Sequence, residues 1–152
     1  MELEDVFRAH QQAVFAYFLR IIGDRHDAEE LTQETFVRAC GAAVRFRGEA
    51  KVSTWLFGIA RRVLLEAMRA GLFERTTTVD EATPSPAEDP DERLDLERAL
   101  ASLGVGDREV LVMVDVLGFQ PYEAATLAGV TPETYRVRLH RARMRLREAY
   151  GR

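Results

Sequence analysis

Residues 118–150 read GFQPYEAATLAGVTPETYRVRLHRARMRLREAY, and two helix starts lie inside them. Gln120, Pro121 and Glu123 supply a cap, a first-turn proline and an acid at the third position, and Thr131, Pro132 and Thr134 open the next helix in a similar way. Gly129 stops the first of the two. A short helix, the turn Ala128-Gly129-Val130 and a long arginine-rich helix therefore follow one another, which is the outline of a helix-turn-helix. Setting the last helix at ~100° per residue gathers Tyr135, Leu139, Ala142 and Leu146 into a narrow arc that must face a core. Opposite lie Glu133, Val137, His140 and Met144, flanked by Arg136 and Arg141. That mixture suits a helix that reads a DNA groove: arginine forks onto guanine edges, Val137 offers contact to a thymine methyl, and other arginines hold phosphates. The plain alternative is a solvated basic face.

Upstream of the helix-turn-helix the same periodicity persists, and no strand pattern competes with it, so the fold class is all-α. Leu3, Phe7, Val14, Phe18 and Ile22 step through one amphipathic helix that Gly23 ends. Asp24 caps a second helix running to about Ala43, with Ala28, Thr32, Phe36, Ala39 and Ala43 inward and Asp27, Glu30 and Glu34 outward beside exposed Leu31 and Val37. An acidic strip interleaved with apolar residues suits a partner protein's helix. Arg45 to Lys51 is a basic loop broken at Gly48. Ser53 or Thr54 caps a third helix with Leu56, Ile59, Ala60, Val63, Leu64 and Ala67 as its apolar stripe. Thr76 to Pro90 holds three prolines, an acidic run and almost nothing to pack, and reads as a flexible linker. A second unit follows, capped at Asp89, with Leu96, Ala99, Leu100 and Leu103 on one helix and Val110, Leu111, Val114 and Leu117 on another that Asp107 caps. The expected organisation is a three-to-four-helix unit over residues 1–73, a linker over 74–90 and a helix-turn-helix unit over 91–152.

The chain has 152 residues, 47% hydrophobic and 30% charged, with a formal net charge of −4. One domain or two very small ones fit that length, and disorder throughout is excluded. Distribution matters more than the sum. Residues 1–34 carry eight acids and three bases; residues 38–75 carry eight bases and three acids; residues 80–97 hold eight acids against Arg93; residues 136–152 hold seven arginines and one acid, Glu148. Two basic clusters far apart in sequence are what a phosphate-binding chain needs, whatever its total charge.

Lone Cys40 can form no intramolecular disulfide, and its expected place is a small buried apolar one; a reducing, cytoplasmic compartment follows. Three acids near the N-terminus do not make a signal peptide, and no apolar run is long enough for membrane insertion. His10, His26 and His140 lack the spacing of a zinc site, and no nucleophile-base pair, phosphate loop or carboxylate pair stands out. The chain is therefore expected to be no enzyme and to need no cofactor.

At DAEELTQETFVRA (Asp27 to Ala39), RFRGEAKVSTWLFGIAR (Arg45 to Arg61) and YRVRLHRARMRLREA (Tyr135 to Ala149) the sequence resembles bacterial sigma-70 family sigma factors of the extracytoplasmic-function group, in matching order across both units. The resemblance implies a protein that binds core RNA polymerase and directs promoter-specific initiation. The first unit would be sigma region 2, which docks on the coiled coil of the largest polymerase subunit and melts the minus-ten element. The second would be region 4, which meets the polymerase flap and reads the minus-thirty-five element. Glu30, Gln33 and Glu34 match the family's docking positions, and Asp27 and Leu31 share their strip. The loop Phe46 to Ser53 matches the segment that captures an unstacked base, giving Phe46, Arg47, Gly48, Glu49, Lys51 and Ser53, with Trp55, Arg61 and Arg62 on the following helix, as the minus-ten set. Thr134, Arg136, Val137, Arg138, His140 and Arg141 form the minus-thirty-five set. An anti-sigma factor is a further partner the resemblance implies. Arg62, Glu66 and Val137 depart from the residues usual in the family, so its promoter preferences do not carry over, and Ala124 and Ala128 replace larger aliphatics. The competing function is a freestanding helix-turn-helix regulator whose N-terminal unit senses a signal or dimerises.

Overall fold

In the computed structural model, residues 2–71 and 90–151 are described. The expected linker and the cap at Asp89 fall, but for Pro90, outside the described residues. Among the described residues the chain is helical without strands: α1 (Leu3–Ile22), α2 (Arg25–Ala42), a 3-10 turn (Ala43–Arg45), α3 (Val52–Arg69), α4 (Pro90–Ala101), α5 (Val105–Leu111), a π turn (Val112–Val116), α6 (Pro121–Ala128) and α7 (Pro132–Tyr150).

Local chemistry sets most of these boundaries. Asp24 caps α2 by accepting from the Asp27 N–H at 2.8 Å. Gln120 and Glu123 form a reciprocal capping box on α6, and Thr131 caps α7 by accepting from the Thr134 N–H at 3.2 Å. Gly129 takes φ 72° in the turn between α6 and α7, a left-handed conformation that glycine adopts without a Cβ clash. Two caps differ from expectation. α3 starts at Val52, two or three residues early, because the Trp55 N–H already bonds to the Lys51 carbonyl at 3.0 Å, so neither Ser53 nor Thr54 is the cap. α5 starts behind Gly104, which leaves Asp107 in the first turn, where its charge still meets the positive end of the helix dipole.

α1, α2 and α3 pack as one bundle around Val14, Phe18, Ile21, Leu56, Ala60 and Leu64. The second bundle places α7 against α4, α5 and α6, burying Tyr135, Leu139 and Ala142 as the wheel requires, with Leu146 half-buried. In α1 the deepest side chains include Tyr17 and Ile21, and Phe7 stays 43% exposed with its ring edge-on to Phe36 at 5.0 Å. Leu31 is half-buried against the core, contrary to its expected exposure, because it lies on the flank of α2 that turns toward the bundle. Cys40 is exposed rather than buried: Ala39 fills the inward position, and the next residue lies ~100° round the helix.

The bundles also pack on one another, joining a single cluster of buried side chains. The Phe57 ring of α3 meets Tyr17 edge-on at 5.5 Å and Phe119, from the second bundle, at 5.2 Å. The π turn helps place Phe119, whose N–H closes on the Met113 carbonyl at 3.0 Å just past it. Arg108 donates to the Ile21 carbonyl at 2.5 Å and so finishes the C-terminal end of α1 from the other bundle.

Candidate functional site: a docking strip and two basic surfaces

The three expected contact sets fall on three surfaces. The first is the outer side of α2. Asp27 is half-buried in the first turn; Glu30, Gln33 and Glu34 are exposed, and Leu31 lies between them and the core. Glu30 faces His26 across one helical turn at 3.1 Å, and Glu34 accepts from Arg38 at 2.9 Å. Arg38 reaches further, to Glu66 of α3, and these two hydrogen bonds, Glu66 first, raise the guanidinium's pKa. The same bond, reinforced by the charges of Arg38, Arg69 and Arg62, holds the Glu66 carboxyl below the usual carboxylate range. Arg38 therefore positions Glu34 from below, a role that spacing alone does not reveal because its second partner lies on another helix. The strip continues into exposed Val37 and Val44, 66% and 85% accessible. Gln33 also lines a groove of about 340 Å³ between α1 and α2, with Phe7, Gln11, Phe15 and Arg25.

The second surface runs from the loop before α3 along that helix. Arg47, Gly48 and Glu49 are exposed, and Gly48 has φ 76°. Phe46 and Trp55 are both half-buried, their rings tilted at 44° with centroids 5.1 Å apart, so Trp55 is part core and part loop support. Ser53 is half-buried beside His10 and Phe57 in a cleft of about 220 Å³. Arg62 is exposed and folds back to donate to the Gly58 carbonyl at 3.3 Å. Two bases of this set point at the second bundle: Lys51 Nζ lies 3.5 Å from Glu123, and Arg61 Nε donates to Glu109 at 3.1 Å. Glu109 also accepts from the Tyr17 hydroxyl at 2.5 Å. Burial, then the charge of Glu109, pushes the Tyr17 phenol well above its ordinary value of 10.0. Burial likewise raises that of Tyr135, whose hydroxyl has no hydrogen-bond partner.

The third surface is α7. Thr134, Arg136, Val137, Arg138, His140 and Arg141 are all exposed, and no ion pair engages Arg136, Arg138 or Arg141 among the described residues. Further along, Arg143 bonds to Asp115 through two nitrogens at 3.0 and 2.6 Å, and Arg145 holds Asp107 at 2.9 Å. Arg136, Arg138 and Arg141 are therefore uncommitted, while Arg143 and Arg145 fasten α7 to its own bundle. Among the described residues, no group of three or more His, Cys, Asp and Glu is placed to hold a metal, and no helix is long and apolar enough to cross a membrane.

Residues 6–71 match the family described as Sigma-70 region 2, and residues 93–146 match Sigma-70, region 4. The chain is 34% identical over 148 residues to the ECF RNA polymerase sigma factor SigC of Mycobacterium tuberculosis, covering 93% of this chain and 79% of that protein. It is 33% identical over 155 residues to SigE of Mycolicibacterium smegmatis, covering 95% of this chain and spanning 60% of that relative's length. Among solved structures, the sigma factor RpoE in complex with the anti-sigma factor NepR from Bartonella quintana superposes with a TM-score of 0.82 at 26% identity, covering 96% of this chain and 94% of that one. With both regions matched in order and the fold shared from end to end, the chain belongs to the extracytoplasmic-function group of the sigma-70 family of RNA polymerase sigma factors.

Proposed function

We propose that this chain binds core RNA polymerase and directs promoter-specific transcription initiation, doing no chemistry itself. Residues 1–73 act as the polymerase-docking and minus-ten unit, residues 91–152 as the minus-thirty-five unit, and residues 74–90 as the tether. Asp27, Glu30, Leu31, Gln33 and Glu34 take the coiled coil of the largest polymerase subunit, and the second unit meets the flap. Phe46, Arg47, Gly48, Glu49, Lys51, Ser53, Trp55, Arg61 and Arg62 form the minus-ten surface, where a base taken out of the stack needs an aromatic-backed, basic loop. Thr134, Arg136, Val137, Arg138, His140 and Arg141 read the minus-thirty-five duplex. The contrast within α7 carries the reading: among the described residues Arg136, Arg138 and Arg141 of its N-terminal half have no ion pair, while Arg143 and Arg145 are held by Asp115 and Asp107, and the N-terminal half is where a recognition helix meets base edges. Polymerase mounts both units together, so each can bind its element weakly and still act at high effective concentration.

The site of action is then the cytoplasm, with polymerase. Since RpoE of Bartonella quintana is bound by an anti-sigma factor, an inhibitory partner of that class is proposed here too. A freestanding helix-turn-helix regulator is not favoured, because both units match regions of one family. The docking assignment is tested by pull-down on immobilised core polymerase. The double variant Glu30→Lys, Glu34→Lys loses retention while its helical circular dichroism is unchanged; retention equal to that of the unaltered chain contradicts the assignment.

A further inference from the structure

One charged side chain on the outer face of α7 lies outside the minus-thirty-five set. Glu133 stands at the head of the ridge that continues through Val137 and His140, and all three are exposed. It forms no ion pair and no side-chain hydrogen bond among the described residues, although Arg136 lies three residues on, at a spacing where opposite charges meet across a helical turn. Nor does it cap its helix. Thr131 holds the cap and bonds to the Thr134 N–H at 3.2 Å, so the third helical position, where a capping-box acid works, belongs to Thr134. Glu123 shows the alternative at the start of α6: it takes that third position, accepts from the Gln120 N–H at 3.2 Å and lies 3.5 Å from Lys51. Two acids thus open neighbouring helices, one engaged and the other without a partner among the described residues.

A carboxylate brought against a duplex meets phosphates on both sides, and the few groups that can neutralise it decide what it faces. It carries acceptors only, and desolvating it in a groove without a donor leaves a charge unpaired. In the major groove guanine shows N7 and O6 and thymine shows O4, acceptors that repel it. Adenine offers its N6 amino group but sets N7 beside it, whereas cytosine presents the N4 amino group with no acceptor on the same edge. We propose that Glu133 is a specificity-determining residue of α7, whose carboxylate accepts from the N4 amino group of a cytosine in the upstream element. Three residues of helix rise about 4.5 Å, slightly more than one base step of about 3.4 Å, so this cytosine lies within two base pairs of the position Arg136 meets. Arginine selects by attraction and is drawn equally to any phosphate. Glu133 selects by exclusion, because each register that sets it against a phosphate or another acceptor is unfavourable. It thereby offsets part of the sequence-independent attraction that exposed Arg136, Arg138 and Arg141 give the helix.

The proposal rests on the reading of α7 as the minus-thirty-five helix, and its test separates the two. Holoenzyme assembled from core polymerase and the full chain is offered promoter duplexes randomised through the upstream element, and the bound sequences are counted. With the unaltered chain, one position favours cytosine about tenfold. Glu133→Gln changes the preference there to adenine, whose N6 and N7 an amide meets through both its groups, and Glu133→Ala removes it; every other position keeps its own. Glu133→Asp keeps a charge at the positive end of the helix dipole but draws the carboxylate back by one methylene, so the unfolding temperature is unchanged while the cytosine preference weakens. Arg136→Ala serves as the reference. If it alters base preference while Glu133→Gln and Glu133→Ala alter none, α7 reads DNA without Glu133 and the proposal is overturned. So it is if no position favours cytosine with the unaltered chain. An equal loss of binding on every sequence, with a lower unfolding temperature, overturns it by reducing Glu133 to a partner of the helix dipole. Preferences that none of these variants changes overturn it together with the reading of α7.

Discussion

The two basic surfaces of this sigma factor are made of the same residue types and are treated in opposite ways. On α3 and the loop before it, Lys51 and Arg61 point into the neighbouring bundle and meet Glu123 and Glu109. On α7, Arg136, Arg138 and Arg141 stand exposed with no ion pair among the described residues. Arginine content therefore says little about which bases are free to take a phosphate; what separates the sets is whether an acid of the same chain already lies within reach. The C-terminal half of α7 teaches the same lesson, since Arg143 and Arg145 look no different in sequence and are held by Asp115 and Asp107.

The largest way to disturb this contrast is alkali, which acts on the buried tyrosines and spares the exposed arginines of α7. Tyr17 and Tyr135 have phenols raised by burial, so the folded chain keeps their protons when the unfolded chain has lost them. Stability is complete below the ordinary tyrosine value and falls as pH rises above it. Absorbance at the phenolate band is predicted to show two of the four tyrosines ionising only as helical circular dichroism disappears.

Next in size is Glu109→Ala, which leaves Arg61 and the Tyr17 hydroxyl facing each other without their shared acceptor. Partial exposure of both ionic partners keeps the loss near 2 to 3 kcal/mol, below that of a fully sequestered pair. Urea denaturation monitored by tryptophan fluorescence measures it. Arg136→Ala and Arg141→Ala should each cost about 1 to 3 kcal/mol of promoter binding with the denaturation midpoint unmoved. Competition between promoter variants on the holoenzyme reads this, and a shift in stability instead would place those arginines in the structural set. Smallest is Arg143→Ala, predicted to lower stability by less than about 1 kcal/mol and to leave promoter choice alone.

The helix-turn-helix was legible in detail because local rules dominate there. Caps at Gln120 and Thr131 and a four-residue arc from Tyr135 to Leu146 depend only on near neighbours. Asp24 was legible for the same reason. Starts without a side-chain cap, at Lys51 and Gly104, were misplaced because the residues that look like caps sit inside the first turn. The groups that join the two bundles were the least readable. Tyr17 and Glu109 are 92 positions apart, Arg61 and Glu109 are 48 apart, and nothing periodic links them. Phe119 follows a π turn that widens the chain path between α5 and α6, and such a turn leaves no mark in a wheel drawn at the regular helical angle.

The most direct measurement for the account as a whole is transcription from a genomic template library by purified core polymerase, with start sites mapped in the presence and absence of this chain. A discrete set of starts, each with a shared pair of upstream elements at fixed spacing and seen only when the chain is added, is the predicted result. Starts identical to those of core polymerase alone would contradict it.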